Sequence, residues 1–85
     1  MISIEKLKKL GFSCVEPTAT DNTYYFAKYI EKPRKTIQIW VVLKKTPVVY
    51  YKENHKKVVL NTNGPLGTAI TAFINELGYV TYKLD

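Results

Sequence analysis

Thr36-Ile37-Gln38-Ile39-Trp40-Val41-Val42-Leu43 decides the fold. Ile37, Ile39, Val41 and Leu43 recur at every second position, with Thr36, Gln38, Trp40 and Val42 between them. Side chains alternate across a strand with a period of two, so one face is wholly aliphatic. The other face carries Trp40 between Gln38 and Val42. An aliphatic strand face has to be covered by a second layer, and the rest of the chain supplies one.

Three further β-rich runs surround this segment: Tyr24–Ile30 before it, then Val48–Lys52 and Lys57–Asn61 after it. The connections are Glu31-Lys32-Pro33-Arg34-Lys35, Lys44-Lys45-Thr46-Pro47 and Glu53-Asn54-His55-Lys56. Linkers this short enforce antiparallel neighbours, which predicts a four-stranded meander. Val15 to Asn22, with Pro17 and polar turn residues, is expected to be a loop.

Helices flank the meander. Leu66, Ala69, Ile70, Phe73, Ile74 and Leu77 form an apolar stripe at helical spacing, with Pro65 suited to the first helical position and Asn63 or Gly64 to the cap. Gly78 ends that helix, and Tyr79 can close on Ile74. Near the start, Ser3 is an N-cap candidate and Ile2 can pack on Leu7, giving a short helix over Ile4 to Leu10. Gly11 and Phe12 repeat the terminator chemistry of Gly78 and Tyr79. A short fifth strand fits Tyr79–Leu84. The predicted fold is α+β, in the order α-β-β-β-β-α-(β): one antiparallel sheet with both helices on one face. Residues 1–85 make a single domain, since a chain of 85 residues has room for one core.

The net charge of +6 is concentrated in the meander. Between Lys28 and Lys57 lie nine basic residues against Glu31 and Glu53 only. Such a balance favours acidic partners. Lysines at strand ends also keep a sheet rich in Val, Ile and Tyr from pairing edge to edge.

Catalytic chemistry finds little support. His55 is the only histidine and falls in a predicted turn; Cys14 is the only cysteine and has apolar neighbours. One His and one Cys cannot complete a structural zinc site, and no paired carboxylates stand at a working spacing. Asn63-Gly64-Pro65-Leu66-Gly67-Thr68 matches neither phosphate-binding fingerprint and reads as a capping turn. No cofactor or metal is expected. The lone Cys14 favours a reducing, cytoplasmic setting. The longest apolar run, Ile39 to Leu43, is far too short to insert into a membrane.

The element order and basic character resemble the double-stranded-RNA-binding domain. That family has a lysine-rich start to its last helix, whereas here the helix begins Pro65-Leu66-Gly67-Thr68-Ala69, so membership is rejected. Gln38, Trp40, Lys44 and the Arg34-Lys35 turn are analogous to the sheet face that integrase-type DNA readers lay in the major groove. The terminators Lys9-Leu10-Gly11-Phe12 and Glu76-Leu77-Gly78-Tyr79, with a Lys- and Tyr-rich meander between them, resemble small uncharacterised proteins of phage and prophage genomes. That resemblance implies an accessory or host-interaction protein.

The sequence therefore predicts a non-enzymatic binding module that uses a basic, aromatic sheet face, with nucleic acid as the best-specified partner. The candidate contact residues are Trp40, Gln38, Lys44, Lys45, Arg34 and Lys35. The alternative is a protein-interaction module, either a homodimer through the sheet face or a phage-type protein acting on a host protein.

Overall fold

A computed structural model describes residues 1–85. In chain order the elements are α1 (Ile2–Lys9), β1 (Ser13–Val15), β2 (Thr23–Ile30), β3 (Lys35–Val42), β4 (Val48–Glu53), β5 (Lys56–Lys57), α2 (Pro65–Glu76) and β6 (Lys83–Leu84). Strands β1 to β5 form an antiparallel meander in sequence order, and β6 joins parallel to β4. The α+β class and the helix–meander–helix order are as the sequence predicts.

Both helices cover the aliphatic face of β3. Ile37, Ile39 and Val41 are buried there with Phe26 of β2 and Val49 and Tyr51 of β4, under Ile4 and Leu7 of α1 and Ala69, Ile70, Phe73 and Ile74 of α2. Phe73 anchors α2: its ring meets Phe26 edge-on at 5.3 Å and Tyr24 edge-on at 4.9 Å. Full burial of a side chain this size contributes about 1.5–3 kcal/mol.

The helix ends follow local chemistry. Gly11 (φ 98°) lets Phe12 N–H donate to the Leu7 carbonyl, and Gly78 (φ 97°) lets Tyr79 N–H donate to the Ile74 carbonyl. Both are Schellman terminators. At its start, α2 has Gly64 as N-cap and Pro65 as its first residue.

Four expectations need correction. Helix α1 begins at Ile2, so Ser3 lies inside it and is not the N-cap; Met1 holds that position. Ile2 is exposed and staples nothing. Val15, expected to open a loop, instead ends an edge strand, Ser13–Val15, which pairs with Tyr25–Ala27. The run Lys57–Asn61 is a strand only at its start, because β6 occupies the Val48–Val49 half of the same β4 edge. Val58 N–H makes the last rung to Tyr51, after which Leu60 turns into the core and Val59 is left 89% exposed.

The β4–β5 turn is tight. Asn54 (φ 51°) and His55 (φ 66°) both adopt the left-handed conformation, as a two-residue type I′ hairpin requires. Asn54 Oδ1 accepts from Thr36 N–H at 3.0 Å, and Asn54 N–H donates to Thr36 O at 2.8 Å. The turn thereby continues the β3–β4 ladder by one rung.

Candidate functional site

The helix-free face of the sheet is set by register. Tyr25, Trp40 and Tyr50 are cross-strand partners on β2, β3 and β4, and Val15 of β1 extends their row. The next row runs Ser13, Ala27, Gln38, Lys52 and Lys57. Thr23, Val42, Val48 and Lys83 form a third. The strand residues on this face include Lys52, Lys57 and Lys83 but no Asp or Glu.

Trp40, half-buried at the centre, leans against Tyr25 at 5.1 Å between ring centroids. Lys52 Nζ sits 5.0 Å from the centroid of the Trp40 ring, and Lys57 Nζ sits 5.6 Å from that of Tyr50. Cation–π contacts at exposed sites are worth only about 0.5–1 kcal/mol, so both ammonium groups are lightly held. Lys57 also lies 3.7 Å from the Asp85 carboxylate, in an ion pair open to solvent. Gln38 Nε2 donates to the Tyr25 hydroxyl at 3.1 Å, and Gln38 Oε1 is buried without a partner.

The residues singled out from the sequence do not form one patch. Trp40 and Gln38 stand at the centre of the face. Lys44 and Lys45 are exposed in the β3–β4 connection, and Arg34 is exposed in the β2–β3 turn. At about 3.3 Å per residue, these two ends of β3 are roughly 30 Å apart. Lys35 shares the inward register of Ile37 and pairs with Glu53 at 3.0 Å, so it is withdrawn from the helix-free face. Glu53 also accepts from the Tyr51 hydroxyl at 2.7 Å. That bond, together with Lys35, holds the Glu53 carboxyl below the usual range, while burial and Glu53 push the Tyr51 phenol upward.

Tyr25, Tyr50, Lys52 and Lys57 complete the aromatic and basic cluster, and sequence reading did not select them. The signal was present only in part. Tyr50-Tyr51 stands out as a pair, but its two rings go to opposite faces: Tyr51 into the core, Tyr50 beside Trp40. Pairing with β3 decides which, and β4's own alternation does not.

The nucleophile and base candidates stay apart. Cys14 lies on β1 at one edge of the sheet, and His55 in the turn at the other. Burial, then Glu16, raises the Cys14 thiol pKa. No three His, Cys, Asp or Glu side chains gather where a metal ion could be held. No helix is long and apolar enough to cross a membrane. Away from the helix-free face, the largest concavity is an open cleft of about 540 Å³ between α1 and α2, rimmed by Lys6 and Lys9.

Compared with protein-family models, curated proteins and solved structures, the chain matches none.

Proposed function

We propose that this protein is a non-enzymatic binding module whose helix-free sheet face takes nucleic acid. The observation that carries the reading is the Tyr25–Trp40–Tyr50 row with Lys52 and Lys57 held over its rings. Lysines neutralise phosphate and release counterions, while aromatic rings stack bases. Stacking is worth about 1–3 kcal/mol per base, more than the cation–π contacts that a base would displace. The strand residues of this face carry no carboxylate, so repulsion toward phosphate is confined to Asp85, which pairs with Lys57 at the β5 edge.

Titration with labelled oligonucleotides at rising salt tests the reading. Binding at low salt that weakens steeply as salt rises is expected, since the logarithm of affinity falls in proportion to the phosphates neutralised. Absence of binding at low salt would remove nucleic acid from consideration.

A second reading rests on Val15 and Tyr29, whose side chains stand exposed on the same helix-free face. Exposed apolar side chains on an uncovered sheet suit a protein partner: a second copy of the chain, or a host protein of the kind the phage-type resemblance implies. A doubled mass in sedimentation that returns to the monomer value in Trp40→Ala would favour the homodimer form.

A further inference from the structure

We infer that the helix-free face takes single-stranded rather than duplex nucleic acid, with bases stacked on Trp40 and Tyr50 as Lys52 and Lys57 lift from those rings onto phosphates. The inference rests on the nucleic-acid reading above and narrows it by geometry. The Trp40 row is four strands wide, from Val15 through Tyr25 and Trp40 to Tyr50. With strands about 4.8 Å apart, that is roughly 14 Å between the outer backbones before side chains are added.

The major groove of B-DNA is about 12 Å wide and admits a helix or a two-stranded ribbon. A face of this width cannot enter it. Trp40 lies on β3, with neighbouring strands on both sides, so it cannot reach a base edge inside a duplex. The analogy with integrase-type sheet readers fails on the same ground. Bases that have left a stack meet no such obstacle, because a flat ring offers every base a face.

The two lysines show that the rings are approachable. An ammonium 5.0 Å from the Trp40 centroid and another 5.6 Å from that of Tyr50 lie over ring faces that a base would also use for stacking. Both lysines are on flexible four-carbon stems, so each can exchange its ring for a phosphate without backbone movement. A single strand laid along the aromatic row crosses the β-strands. Its path leaves Arg34 at one end of β3, and Lys44 and Lys45 at the other, to the sides.

Trp40 is the only tryptophan, so its emission reports the site directly. The probes are a mixed-sequence DNA strand of about 15 nucleotides, long enough to cross the aromatic row, and its blunt duplex. The expected result is quenching of Trp40 by the single strand, with affinity at least about tenfold above that for the duplex. Lys52→Gln should lower the log–log salt slope by about 0.7, the increment for one phosphate on a single strand, and Lys44→Gln should leave it unchanged.

Duplex binding as tight as single-strand binding would overturn this inference and leave the broader nucleic-acid reading standing. Single-strand binding with unchanged Trp40 emission would place the contact elsewhere and overturn it as well. If neither probe binds at low salt, both readings fall together.

Discussion

Glu76, the last residue of α2, caps the start of α1 through Ser3. Its Oε1 accepts the Ser3 hydroxyl at 2.6 Å and the Ser3 backbone N–H at 3.1 Å. Helix N-termini carry unpaired N–H groups and a partial positive charge, and an anion there satisfies both. The cap that α1 lacks locally thus comes from a residue 73 positions away in the chain.

The Ser3 hydroxyl bond, foremost, holds the Glu76 carboxyl below the usual carboxylate range. A pKa depressed by folding gives stability that is fully present above the unfolded value, about 4.3, and lost as pH falls through the folded one. Glu76→Gln should therefore melt below wild type at neutral pH, and the two curves should converge in strong acid. A melting gap that persists unchanged into strong acid would show that the charge is not what α1 uses. In a double-mutant cycle, Ser3→Ala and Glu76→Gln should be non-additive.

Phe73→Ala is expected to remove about 3–5 kcal/mol, because the ring is fully buried between Phe26 and Tyr24. Urea unfolding measures this. A midpoint equal to wild type would mean that α2 does not dock through this ring.

Gly67→Ala should destabilise, although alanine in a helix interior normally gains up to about 1 kcal/mol over glycine. A Cβ here would sit 2.5 Å from Thr62 Cα and closer still to the Asn61 carbonyl oxygen. The approach of residues 61–62 to α2 depends on the missing side chain, and overpacking against backbone costs about 1–3 kcal/mol. Thermal melting distinguishes the outcomes, and a raised melting temperature would contradict the close approach.

His55→Gly should stabilise by up to about 1 kcal/mol. Glycine is free at the second position of a type I′ turn, where histidine pays for its left-handed backbone. A variant less stable than wild type would indicate that the His55 side chain makes a compensating contact.

What the sequence revealed follows from the range of each interaction. The terminators at Gly11 and Gly78 are settled within six residues, and the β3 alternation within eight, so both were legible. Ser3 was misread as a cap because its partner is Glu76, and no local pattern records that. Ser13–Val15 is too short for a period of its own, and β2 makes it a strand. Arg34, Lys35, Lys44 and Lys45 look clustered in sequence, yet β3 holds the two pairs at its opposite ends. The Trp40 neighbourhood needed cross-strand register to bring in Tyr25, Tyr50 and Lys52.

The division of the β4 edge has a consequence for self-assembly. One half is held by an antiparallel strand and the other by a parallel one, with Lys83 N–H bonded to Pro47 O and Asp85 N–H to Val49 O. An incoming strand finds both halves of the β4 edge already occupied. What lies outermost on that side is two strands of two residues each, and β1 on the far side offers three. Sideways pairing through the β4 edge has almost no template, whereas β1 covers only Tyr25–Ala27 of β2. The flat of the sheet and the end of β2 at residues 28–30 are therefore the directions in which this molecule can meet another.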